Sequence, residues 1–134
     1  MEPPERRRLT FEEYLKLEAV STERLEYRAG RAVALAVPTK NHARIAGNLV
    51  MALGPLVRAR RCDFFSDDAK IIAPNGDRTI PDFVVTCDPR DREVVDDRGE
   101  ATLRHPWLVI EILSPATAAD DTTDKLTRIN RFPN

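Results

Sequence analysis

The stretch Trp107-Leu108-Val109-Ile110-Glu111-Ile112-Leu113 is apolar except for one carboxylate. A short apolar run of this kind reads as a buried strand. A lone carboxylate inside such a strand costs several kcal/mol unless it is paired, protonated or metal-bound. A second run, Ile80-Pro81-Asp82-Phe83-Val84-Val85-Thr86, carries Asp82 in the same way, directly after a proline. Side chains alternate along a strand, so Glu111 and Leu113 share one side. If the two strands are neighbours, both carboxylates reach one point in space. Two carboxylates completed by water suit Mg²⁺, which keeps much of its hydration shell.

The chain has 134 residues, enough for one domain with a single core. Residues 1–8, rich in proline and charge, are expected to form a disordered tail, and residues 9–134 a single domain. Charged residues make up 32% of the chain but nearly cancel to a net charge of -1, so no global field draws it to nucleic acid or membrane. Arginines do cluster locally, at Arg58, Arg60 and Arg61 and at Arg128 and Arg131. The N-terminus has no apolar stretch like that of a secretory leader, and no run is long enough to span a bilayer. A cytoplasmic protein is the expectation. Cys62 and Cys87 do not have metal-site spacing; a disulfide is open, and two reduced thiols are the simpler reading.

Thr10 with Glu13 three positions on forms a capping box, opening a helix over Phe11–Glu18 with Phe11, Tyr14 and Leu15 inward. The segments 24–28 and 31–37, joined by Ala29-Gly30, read as a β-hairpin. Residues 40–60 take helical period, with Ile45, Leu49, Leu53 and Leu56 on one stripe and Val50 and Val57 beside it. Thr39 or Asn41 caps the start, and Gly54-Pro55 predicts a kink or break. Strands follow at 62–66, 69–73 and 79–87, the last two pairing as a hairpin around Pro74-Asn75-Gly76-Asp77. Residues 88–100 read as an exposed loop before the Trp107–Leu113 strand, which Ser114-Pro115 ends. A last helix spans 117–131, with acids at its front and bases at its rear. The order is αββαβββα: an α+β fold, a mixed sheet flanked by helices.

Pro81-Asp82 followed by Glu111-Ile112-Leu113 resembles the PD-(D/E)xK signature of restriction-endonuclease-like nucleases. Over about residues 8–132 the chain is similar to the Uma2 family of predicted endonucleases. The likeness includes Glu26-Tyr27-Arg28-Ala29-Gly30, Pro38 with His42, Pro81-Asp82-Phe83-Val84-Val85, Leu108 through Pro115, and Asp124-Lys125-Leu126. Leu113 stands where the broad pattern has lysine, and the resemblance passes that role to Lys125 on the following helix. It implies a metal-dependent endonuclease acting on DNA. Asp82 and Glu111 would bind Mg²⁺ or Mn²⁺, Lys125 would position the water, and Glu26 and His42 would be further catalytic-site residues. DNA contacts are expected from Arg44, Arg58 and Arg128. Family members continue into another strand after the lysine helix, so a C-terminal strand is expected to be missing here.

Plainer readings stand beside these. Asp82 can be a strand-start residue bonding backbone amides, Glu111 an edge residue, Glu26 the wet side of a hairpin, His42 a helix-capping side chain, and Lys125 a solvent-facing lysine. Lys70 is the fallback for the catalytic lysine. Asp67 and Asp68 are assigned no chemistry. The rival function is a non-catalytic nucleic-acid-binding or assembly protein on a nuclease-like scaffold; a homodimer that completes the fold is a third.

Overall fold

The computed structural model describes residues 7–92 and 101–114. Helix α1 (Phe11–Val20) leads into β1 (Leu25–Arg28) and β2 (Arg31–Ala34). Helix α2 (Lys40–Ala59) follows, then β3 (Asp63–Phe65), β4 (Lys70–Ile72), β5 (Arg78–Thr79) and β6 (Phe83–Thr86). A 3-10 turn at Pro89–Arg92 precedes β7 (Thr102–Leu103) and β8 (Leu108–Ile110). The fold is mixed α+β, as the sequence predicts. The strands form a five-stranded sheet, in the order β2-β1-β5-β4-β7, and a three-stranded sheet, β3-β6-β8. The helix expected at 117–131 lies outside the described residues, as does most of the 88–100 loop.

Local chemistry sets the ends of these elements. The Thr10 hydroxyl accepts the Glu13 amide while the Glu13 carboxylate accepts the Thr10 amide at 2.8 Å. The Thr10 amide, followed by the Arg7 guanidinium, holds the Glu13 carboxyl below its usual range. In the β1–β2 turn, Ala29 and Gly30 both have positive φ, 50° and 79°. That is the two-residue turn whose twist matches a hairpin. A Cβ at Gly30 would meet the Arg8 side chain at 3.0 Å, so the position is closed by contact as well as by backbone. Helix α2 begins on the Thr39 hydroxyl, which accepts the His42 amide at 3.1 Å. It ends where the Cys62 amide reaches the Val57 carbonyl at 3.2 Å and the Arg61 amide reaches that of Arg58 at 3.0 Å. This pair of bonds is the Schellman motif. Arg61 sits at φ 56°, a place that normally favours glycine.

Four sequence readings need correction. The long strand 79–87 is two strands in two sheets. Residues up to Thr79 pair with β4 (Ile71 with Thr79, Ile72 with Arg78), whereas Phe83 onward pairs with β3 and β8. Pro81 has no amide hydrogen to continue the ladder, and the chain changes sheet there. The inward stripe of α2 is displaced: Ile45 (45%), Val50 (47%) and Leu56 (61%) are exposed, and Val57 is buried. The half-buried His42, Ala46, Leu49 and Leu53 line up with Val57 at helical spacing and form the inner stripe instead. Of the kink or break expected at Gly54-Pro55, the break is absent: α2 runs on to Ala59 as one helix. Finally, the cysteines are not reduced thiols. Cys62 and Cys87 are joined, Cα to Cα 4.4 Å. The cause is register: β3 pairs with β6 with Asp63 opposite Thr86, so the residues one step beyond are brought face to face.

The core lies between the sheets. Ala69, Ile71, Val84 and Leu103 are buried together, with Phe65 and Val109 against them. The pair β7 was not foreseen from sequence; only two residues long, it lies parallel to β4 through Lys70–Thr102 and Ile71–Leu103. Among the described residues no helix is long and apolar enough to cross a membrane.

The cross-link closes a segment with a sequence separation of 25. Removing it by Cys87→Ser lowers unfolding free energy by about 3 kcal/mol, the loop-closure value for a segment of this size. Urea melts of the variant and the parent chain measure this, and thiol titration of the unreduced, unfolded chain should find none. Two titratable thiols there would show that the bridge does not form.

Candidate active site

The crossing at Ile80-Pro81-Asp82 places Asp82 immediately before β6. In the β6–β8 ladder Phe83 faces Ile110 and Val84 faces Val109. Continuing that register one step sets Asp82 opposite Glu111. Opposed residues of an antiparallel pair put their side chains on one face with Cβ atoms about 5 Å apart. The Asp82 carboxylate is held at both oxygens. Its Oδ2 accepts the Ile112 amide at 2.7 Å, and its Oδ1 lies 2.9 Å from His42 Nε2. His42 comes from the first turn of α2, whose N-terminal end carries partial positive charge that favours a carboxylate.

Asp82, Glu111 and His42 line one small cavity of about 100 Å³, shared with Asp67, Ile80, Ile112 and Ser114. That volume holds roughly three waters at about 30 Å³ each. Glu111 Oε1 is turned away from bulk water. The structure thus brings together Asp82, Glu111 and His42. Lys125 lies outside the described residues. Leu113 is exposed.

Glu26 does not line this cavity. It is 1% exposed, in β1, where one oxygen accepts the Arg28 guanidinium at 2.5 Å and the other the Ile80 amide at 2.6 Å. Ile80 does line the cavity, so Glu26 acts on the site through the backbone that delivers Asp82. Lys70 is committed elsewhere as well: its ammonium bonds the Tyr14 hydroxyl at 2.9 Å and the Glu18 carboxylate, on the α1 side of the sheet. Arg44 is exposed and bonds Asn41 at 2.9 Å. Asp67, an exposed residue after β3, was missed. Its only sequence signal is an acidic pair at a strand end, which ordinary solvation explains equally well.

The donor set bears on a metal. Among the described residues no group of three or more His, Cys, Asp or Glu side chains is arranged to hold an ion. Two carboxylates lining one small cavity remain, and that is the ligand count with which Mg²⁺ keeps most of its water.

Residues 11–128 match the family model Uma2, described as "Putative restriction endonuclease". Two proteins of Synechocystis are similar: the uncharacterized protein slr1290, 36% identical over 88% of this chain and 60% of its own, and the uncharacterized protein sll1609, 29% identical over 93% of this chain and 70% of its own. A crystal structure of "a putative nuclease belonging to DUF820" from Anabaena variabilis has a similar fold, with a TM-score of 0.69 and 25% identity. The match covers 89% of this chain and 66% of that one. The chain therefore spans about 60% of the length of the first relative.

Glu26→Ala would leave the Arg28 guanidinium buried without this partner and the Ile80 amide without its acceptor. A loss of roughly 3 kcal/mol or more in unfolding free energy follows, read by denaturant melts. A change below about 0.5 kcal/mol, the range of ordinary surface substitutions, would show that Glu26 does not organise this crossing.

Proposed function

Because the chain belongs to the Uma2 family, we propose that it is a metal-dependent endonuclease that hydrolyses phosphodiester bonds in DNA at the Asp82–Glu111 cavity. The observation that carries this reading is the pair of carboxylates opposed across β6 and β8, with one of them clamped at both oxygens. Asp82 and Glu111 would hold Mg²⁺ or Mn²⁺. Such an ion, when bound, makes water a nucleophile near neutral pH and stabilises charge on phosphoryl oxygens.

The rest of the work falls to the chain's own groups. His42 and the Ile112 amide fix the Asp82 carboxylate in one orientation, so no reorganisation is needed when charge develops. The buried Ile112 and Ile80 on the cavity wall restrict water on that side. In this reading Lys125 supplies the ammonium that orients the attacking water or offsets charge at the scissile phosphate. Glu26, through the Ile80 amide, is a positioning residue for the strand that carries Asp82.

Nicking of supercoiled plasmid tests the proposal. Cleavage should require Mg²⁺ or Mn²⁺ and stop in chelator. Asp82→Ala and Glu111→Ala should abolish it, and His42→Ala should cut it on the order of 10–100-fold, as loss of a group that orients a metal ligand does. Parent-like cutting by both carboxylate variants would reject the nuclease reading.

A further inference from the structure

The far end of β8 from Glu111 carries a second feature, outside the catalytic cavity. Trp107 is 58% exposed, yet it is firmly seated. Its amide donates to the Val85 carbonyl at 2.8 Å. The backbone just before it is tied down by one side chain: Asp91 accepts the amides of Arg104 and His105, both at 2.9 Å, and the Thr86 hydroxyl at 3.0 Å. The Arg60 guanidinium, at the end of α2, lies over the indole at 5.5 Å from the ring centroid. An open recess of about 750 Å³ adjoins the ring, lined also by Arg90, Arg104, His105 and Asp88.

The charge of this recess is positive. Among the described residues, Arg60 over the indole and Arg90 and Arg104 on the lining stand against two acids, Asp91 on the Arg104 and His105 amides and Asp88, which is paired with Arg90. The Asp88 carboxyl stays ionised, held far below its usual range first by the Arg90 guanidinium and then by the Arg90 amide. An exposed indole on a tethered backbone beside guanidinium groups is the chemistry of a stacking platform for nucleic acid: the ring takes a base, the arginines the phosphates. Only a base out of its helical stack can present a face to the ring.

We propose that this recess is a subsite for a single-stranded segment of the substrate, with a base stacked on Trp107 and flanking phosphates on Arg60 and Arg104. The inference rests on the nuclease reading for its substrate class. It places the subsite four residues along β8 from Glu111, about 13 Å, on the order of four stacked nucleotide steps.

Trp107 is the sole tryptophan, so intrinsic fluorescence reports this ring alone. Oligothymidylate titrated into the full chain in EDTA should quench the emission saturably, and added salt should weaken the effect. A duplex of equal length should quench far less. By anisotropy of a labelled oligothymidylate, Trp107→Ala should weaken binding on the order of tenfold, the loss expected for one stacked base, while Trp107→Phe keeps most of the affinity. Equal quenching by duplex, or undiminished affinity of Trp107→Ala, overturns the subsite. Plasmid nicking run in parallel separates the two readings. Metal-dependent nicking without quenching removes the subsite and leaves the nuclease; quenching without nicking leaves the subsite and removes the nuclease.

Discussion

Everything near the cavity depends on how the chain is held as it passes from one sheet to the other. Pro81 cannot donate to either ladder, so the crossing at Ile80-Pro81-Asp82 loses sheet hydrogen bonds. Two carboxylates replace them. Glu26 takes the Ile80 amide on one side of the proline, and Asp82 takes the Ile112 amide on the other. These are charge-assisted bonds, roughly twice as strong as neutral ones. Their effect is positional: they leave little freedom in where the Asp82 side chain starts, and His42 fixes where it ends.

This arrangement explains why so many charged residues sit inside a small fold. Glu26, Arg28, Lys70, Asp77 and Arg78 are all buried. Apolar replacements of similar shape could stabilise such positions equally well, but they could not bond a backbone amide at a sheet crossing or bridge a helix to a strand. Lys70 ties β4 to Tyr14 and Glu18 of α1. Asp77 reaches across to the Ala29 amide in the β1–β2 turn at 3.1 Å. The buried polar groups sit between elements, where they fix register and direction. The purely apolar cluster of Ala69, Ile71, Val84 and Leu103 supplies burial without that directionality.

Local chemistry was legible in the sequence because it depends on neighbours along the chain. The Thr10 capping box, the Ala29-Gly30 turn and the start of α2 at Thr39 all rest on contacts three or fewer residues apart. The opposition of Asp82 and Glu111 was legible for another reason: each interrupts an apolar run, and a buried carboxylate demands a partner from elsewhere. What was hidden depends on pairing between distant segments. Residues 79–87 look like one strand until Pro81 is seen to divide two sheets. Cys62 and Cys87 become neighbours only through the β3–β6 register. The α2 stripe turned because its periodicity allows two adjacent faces, and the docking that placed His42 against Asp82 selected between them. Glu26 has the residue type of a site carboxylate, but its partner, the Ile80 amide at the crossing between two distant strands, is invisible to pattern.

Helix α2 connects the two ends of the three-stranded sheet. Its first turn puts His42 on Asp82, and its C-terminal cap puts Arg60 over Trp107. Immediately after that cap, the Schellman turn at Arg61 delivers Cys62 to Cys87, beyond the end of β6. A helix of 20 residues is about 30 Å long, and here it is fastened to the sheet near both termini although much of its length is exposed. Its outer flank contributes little to burial, so these end contacts set its angle on the sheet. The same angle decides how far His42 reaches toward the carboxylates and how Arg60 lies on the indole. In this architecture the orientation of the Asp82 carboxylate and the shape of the proposed base subsite are two readings of one helix position.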